Sequence, residues 1–159
     1  MIIIVSGSVG TGKSSISKEL ARKLKFKYID VNKLVKENKL RDKYIKELDT
    51  YEVNINKLNK FLIKLIKSSK NLVIDSHLSH YLSNNYVNYC VICKCDIKVL
   101  NKRLKLRKYS DIKIRENLDS EIFDVCLVEA LENKHKVIIV DTSKNSISKC
   151  VNEVLNKIK

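Results

Sequence analysis

The chain opens with an apolar run, Ile2-Ile3-Ile4-Val5, and passes directly into Gly7-Ser8-Val9-Gly10-Thr11-Gly12-Lys13-Ser14 and then into a stretch with helical spacing. Those eight residues satisfy the pattern GxxxxGK[ST], which carries its meaning only where a strand precedes it and a helix follows. This constrains the fold strongly: a buried strand must deliver the chain to a glycine loop that turns straight into a helix. Glycines let backbone N–H groups approach phosphate oxygens where a side chain would stand in the way. The helix N-terminus adds its own positive end. Gly10, Gly12, Lys13, Ser14 and Ser15 are therefore expected to hold a nucleoside triphosphate. Lys13 would reach the β- and γ-phosphates, the Ser14 hydroxyl would ligate Mg²⁺, and Ser15 would lie beside the α-phosphate.

Strand-like apolar runs alternate with helical patterns along the rest of the chain, the signature of a parallel α/β sheet. Strands are expected at Ile2 to Ser6, Tyr28 to Asp30, Leu72 to Asp75, Val87 to Cys93 and Val137 to Val140. Helices are expected from Lys13 to Leu24, around Leu58 to Ile66, between Asp96 and Tyr109, and around Val151 to Ile158. A further helix, capped by Ser110, should run through Ile114, Leu118, Ile122, Val125 and Cys126. The predicted fold is a P-loop nucleoside-triphosphatase or nucleoside-monophosphate-kinase α/β fold, a five-stranded parallel sheet flanked by helices. With 159 residues it suits a single domain. From Asn32 to Asn56 the sequence is polar with scattered apolar positions, which predicts small mobile helices outside the core.

A net charge of +14 would ordinarily suggest a nucleic-acid partner. Here the 27 Lys, 19 Ile and 15 Asn point instead to an AT-rich coding bias, so charge alone does not carry that role. The five arginines, Arg22, Arg41, Arg103, Arg107 and Arg115, are the more informative cations, because phosphate recognition by a planar fork requires arginine. Reduced thiols are expected for the five cysteines. Cys90, Cys93 and Cys95 read as buried strand residues rather than metal ligands, since no second pair with zinc-like spacing follows. No apolar run is long enough to span a bilayer, and Met1 leads into a strand without a basic n-region or cleavage site. A cytoplasmic protein with no membrane partner is expected.

A phosphate loop needs a second carboxylate to hold its metal, generally at the end of a neighbouring strand. Asp75 ends the apolar strand Leu72-Val73-Ile74, where a carboxylate has no packing purpose and where open α/β sheets collect ligands. His77 and His80 follow it at once. His77 is placed to orient a water or nucleophile, and His80 less so. Arg103 and Arg107, four apart, would share a helix face and could clamp a transferring phosphoryl group. Asp30, Lys36 and Arg41 lie in or beside the polar segment after the second strand, where a nucleotide kinase would hold its acceptor.

The blocks Asp75-Ser76-His77-Leu78-Ser79-His80, Arg107-Lys108-Tyr109-Ser110 and Glu116-Asn117 through Glu121-Ile122-Phe123-Asp124-Val125, taken with the phosphate loop, resemble the archaeal and eukaryotic adenylate kinase isoenzyme six family, also called coilin-interacting nuclear ATPases. The likeness runs from about residue 2 to residue 143 in order and at matching spacing, and ordinary adenylate kinases lack the Asp-x-His block. The resemblance implies a compact kinase fold over residues 1–159, with a nucleoside-monophosphate insertion at about 31–56 and a short lid at about 105–115. It implies conversion of ATP and AMP to two ADP, and a slow ATPase used in maturation of the small ribosomal subunit, with a platform ribosomal protein and the pre-ribosomal small subunit as partners. By matching position it makes Lys13, Asp75, His77 and Arg107 the catalytic set. Ser14 and Asp75 become the Mg²⁺ ligands, and Arg107 the lid arginine. Two positions depart: Lys36 stands where the family often has arginine, and Lys108 where the lid has glycine. An assembly or RNA-associated ATPase with vestigial AMP kinase activity, and a P-loop kinase for another small acceptor, are the alternatives.

Overall fold

The computed structural model describes residues 1–158. Five parallel strands form one sheet in the order β2-β5-β1-β6-β7: β1 Ile2–Ser6, β2 Lys27–Asp30, β5 Leu72–Asp75, β6 Tyr89–Lys94 and β7 Val137–Asp141. The central β1 pairs with β5 through Val5↔Asp75 and with β6 through Ser6↔Ile92. The carboxyl ends of three strands are thereby brought level with the start of the glycine loop.

Strands buried on both faces read as unbroken apolar runs, and β1 is completely buried. Its Ile3 and Val5 face α1 (Lys13–Leu24) and α7 (Ile147–Lys157), meeting Ile16, Leu20, Val151 and Val154. Its Ile2 and Ile4 face the opposite layer, made by α2 (Val31–Glu37), α3 (Ile55–Lys67) and α6 (Val125–Glu132). A smaller apolar cluster of Cys95, Leu100, Leu104 and Ile114 joins α4 (Ile97–Leu106) to α5 (Asp111–Ile122). The expected five-stranded parallel sheet is present, and Ser110 caps α5 by accepting from Lys113 N–H. All five cysteines are free and buried, with Cys90 and Cys93 inside β6.

Two sequence expectations are corrected. The segment after β2 contains only one α-helix, α2, and its Val31 and Val35 are core residues rather than outlying ones. The rest folds as an antiparallel hairpin, β3 (Arg41–Ile45) and β4 (Thr50–Val53). Its stability comes from a cross-strand pair, Tyr44 against Tyr51 with ring centroids 5.0 Å apart, and from Arg41 stacked 4.5 Å over the Tyr51 ring. Contacts of this kind leave no helical spacing in the sequence. The second correction concerns the run from Ile114 to Cys126, which is two helices. Asp124 takes a left-handed conformation at φ +53°, and Lys94 bonds both its carboxylate and that of the buried Glu121, fixing the break.

Candidate functional site

The loop leaves β1 at Gly7, whose φ is +136° and whose added Cβ would lie 2.5 Å from the Cys93 carbonyl oxygen. Only glycine fits there, and the reason is the neighbouring strand as much as any ligand. The loop is held from inside. Thr11 Oγ1 donates to the Ser8 carbonyl at 2.8 Å, and Thr142 Oγ1 donates to the Thr11 carbonyl at 2.6 Å. Lys13 Nζ donates to the Ser8 carbonyl at 2.8 Å. Burial lowers the proton affinity of Lys13, while Cys93 and Asp75 oppose the effect.

Lys13, Ser14, Ser15, Asp75, His77 and Arg107 line one cavity of about 150 Å³ together with Gly10 and Gly12. The structure thus brings together residues 10 to 15, the end of β5 and the end of α4. Asp75 is 5% exposed, and its Oδ2 accepts from the Tyr28 hydroxyl at 2.8 Å. Ser14 and Asp75 present only oxygen donors, the set suited to a hard divalent cation that takes its other ligands from phosphate and water. Among the described residues, no group of three or more His, Cys, Asp and Glu side chains could hold a metal, so any cation here would depend on a ligand's own oxygens.

His77 lies at the meeting point of three cavities. Burial, with help from the charge of Lys13 and from His80, pushes its imidazole down to about 4, so it is neutral at ordinary pH. His80 is different. Nearly fully buried, it holds Ser6 Oγ at 2.7 Å through Nδ1 and Glu129 at 2.8 Å through Nε2. It ties the end of β1 to α6 and does not reach the cavity.

Arg107 lines the small cavity and also the two larger ones on either side of it. One, of about 420 Å³, is formed by Gly10, Gly12, Ser15, Arg103, Leu106, Thr142, Asn145 and Ile147. The other, of about 410 Å³, is formed by Val9, Asn32, Leu48, Thr50, His77, Tyr109, Glu116, Asn117 and Ser120. Both volumes fall in the range of small-molecule pockets. Arg103 is not available as a second clamp. Its guanidinium donates to Thr142 Oγ1 at 3.1 Å and to the Thr142 carbonyl at 3.0 Å, joining the loop after β7 to the glycine loop.

The acceptor-side residues expected from the sequence do not all converge. Arg41 lines a cavity of about 480 Å³ beneath the hairpin, shared with Asn32 and His77. Asp30 caps α2 by accepting from Lys33 N–H. Lys36 is exposed on α2 and outside the lining of that cavity. The hairpin tip also touches α5, where Lys113 Nζ donates to the Asp49 carbonyl at 3.1 Å, and α5 touches the glycine loop through Ser8 and Ser120, 3.3 Å apart. Sequence reasoning did not single out Tyr28, which bonds Asp75, or the cavity-lining Asn32, Thr50, Thr142 and Asn145. Only the last two had a local signal, a polar turn-rich stretch at the carboxyl end of a strand.

Residues 3–124 match a family model described as an AAA domain. A protein of Methanocaldococcus jannaschii named "Putative adenylate kinase" is 35% identical over 159 residues, covering 100% of this chain and 86% of that one. One of the same name from Pyrococcus furiosus is 38% identical, covering 99% and 84%. Among solved structures, shikimate kinase from Acinetobacter baumannii in complex with shikimate matches with a TM-score of 0.70 at 15% identity, covering 99% of this chain and 92% of that one. The YorR protein from Bacillus subtilis in complex with phosphorylated GDP matches with a TM-score of 0.69 at 18% identity, covering 99% and 95%. The two structures establish a P-loop kinase fold; the sequence relatives establish kinship. This protein belongs to the same family as these archaeal proteins, with the AAA domain as its matched region.

Proposed function

We propose that the chain is an ATP-dependent nucleoside monophosphate kinase of the adenylate kinase isoenzyme six type, converting ATP and AMP to two ADP, with an accompanying ATPase activity. The observation that carries this is the pair of cavities of about 420 and 410 Å³ flanking the phosphate loop and sharing Arg107. Two nucleotides could then meet at one phosphate site. ATP would lie with its base near Thr142 and Asn145 and its phosphates on Gly10, Gly12, Lys13, Ser14 and Ser15. AMP would enter the cleft that Asn32, Thr50 and Asn117 line. Arg41 and, through α2, Asp30 would support that acceptor side, whereas Lys36 has the weakest case. Residues 31–56 would serve as the acceptor insertion and 105–115 as the lid.

In transfer, an AMP phosphate oxygen attacks the γ-phosphorus of ATP in line as the bond to the β-bridging oxygen breaks. Lys13 and Arg107 would offset charge on the phosphoryl oxygens, an electrostatic contribution that dominates catalysis of this type. Ser14 and Asp75 would hold Mg²⁺, which would supply neutralisation of phosphate charge. In hydrolysis the nucleophile is water, and the neutral His77 imidazole can accept its proton's hydrogen bond and orient it.

Use of the ATPase in small-subunit maturation, with a platform ribosomal protein on the pre-ribosomal particle, belongs to the same proposal and follows from the family resemblance. The exposed Lys36, a point charge outside the acceptor cavity, favours a second weighting in which hydrolysis is the main activity. Measuring ADP formation from ATP alone and from ATP plus AMP in one preparation tests both. AMP-stimulated ADP formation that Lys13→Ala abolishes is expected. ADP from ATP alone, unaffected by AMP, would establish the assembly-ATPase weighting, and no ADP in either reaction would overturn the proposal.

A further inference from the structure

We propose that Tyr28 is a positioning residue for the divalent cation, a role that rests on the assignment of Ser14 and Asp75 as the Mg²⁺·ATP ligands. The Tyr28 hydroxyl donates to Asp75 Oδ2 at 2.8 Å, and Ser14 neighbours the same phenol. One side chain of β2 therefore holds the carboxylate at the end of β5 that would bind the cation.

The chemistry of the carboxylate explains what the phenol does. A nearly buried carboxylate must have its second oxygen satisfied if the first is to face a cation, and the Tyr28 O–H does so. The phenol is itself fixed. Tyr28 is in register with Val73 of the paired strand, and its ring packs on the core layer of Ile3 and Leu20. Asn32, four residues further on, lines the acceptor cleft, so the strand that sets the cation-binding carboxylate also leads into the acceptor side.

Tyr28→Phe keeps the ring and removes the hydroxyl. The measurement is the dissociation constant of ATP for the full chain, once with excess Mg²⁺ and once with EDTA, alongside the melting temperature. In the variant, the tightening of ATP binding by Mg²⁺ should shrink about tenfold, the size of one hydrogen bond to a charged group. The EDTA value should stay within about twofold, because the phosphate cradle is intact. Wild-type tightening retained in Tyr28→Phe would overturn the role of Tyr28 and leave the Mg²⁺·ATP assignment standing, whereas no tightening in the wild type would overturn that assignment and the proposal with it. A second measurement needs no variant: Mn²⁺·ATP added to protein with ¹³C-labelled tyrosine should broaden the Tyr28 ring signal before those of the other tyrosines, of seven in all. A Tyr28 signal that survives bound Mn²⁺·ATP would overturn the proposal.

Discussion

His77 should make the protein lose stability in mild acid, by an amount that follows from its surroundings. Folding moves its imidazole from an ordinary 6.5 to about 4, first by burial and then through Lys13 and His80. Above pH 6.5 the ring is neutral in both folded and unfolded chains and contributes nothing. Between 6.5 and 4 the unfolded chain takes up a proton that the folded one refuses, so stability falls by about 1.4 kcal/mol for each pH unit. Below 4 both states are protonated and the loss levels off at about 3 kcal/mol. His77→Gln removes this titration while keeping a polar side chain of similar reach. Urea denaturation of both proteins at intervals from pH 7.5 to 4 isolates the effect, because His80, also lowered by burial, and every carboxylate remain in the variant. Wild type should lose about 3 kcal/mol more than His77→Gln across that range. Parallel stability curves, or an imidazole NMR titration that puts His77 near 6.5, would refute the burial argument. The same neutral ring implies that ATP hydrolysis has no acid limb at 6.5 arising from His77.

Three further outcomes follow from particular contacts. Lys108 holds a φ of +56°, which costs a side-chain-bearing residue about 1–2 kcal/mol, while glycine's greater unfolded freedom returns about 0.5–1 kcal/mol of that; Lys108→Gly should raise the melting temperature by about 2–4 °C in a calorimetric scan. Gly7→Ala sets a Cβ 2.5 Å from the Cys93 carbonyl oxygen, between two hydrogen-bonded strands that cannot part, and should destabilise the chain by more than about 2 kcal/mol and weaken ATP binding, read by urea denaturation and by titration calorimetry. Lys94→Met leaves the Glu121 carboxylate, 3% exposed, with the Cys95 N–H at 3.0 Å but without its cation. The loss should be about 3 kcal/mol at pH 7, the low end for breaking a buried pair, and chemical denaturation measures it.

Much of the fold was legible because its signals are local. The run Ile2 to Val5, the glycine spacing and the helical period after Lys13 are properties of consecutive residues, and backbone geometry turns them into strand, loop and helix with little help from elsewhere. Asp75 was legible for a similar reason, since a carboxylate closing an apolar strand is conspicuous without any partner. The hairpin from Arg41 to Val53 was hidden because its support, Tyr44 against Tyr51 and Arg41 over Tyr51, is a set of cross-strand contacts with no helical or long alternating period. The break at Asp124 was hidden because Lys94, 30 residues away, holds it.

The site itself divides in the same way. Sequence alone determined which residues could carry phosphate chemistry, because residue type and spacing decide what a glycine loop, a lysine and a strand-end carboxylate can do. Only the tertiary structure decided which of the remaining candidates face one another. The order β2-β5-β1-β6-β7 brings Tyr28 onto Asp75 across 47 residues and Ser6 onto His80 across 74. It turns His77 to the cavities while burying His80, and it commits Arg103 to Thr142 while leaving Arg107 between the two larger pockets. The physical reason is that side-chain pairing between distant elements depends on strand order and register, which are settled when many weak apolar contacts are buried together and are not encoded at any single position.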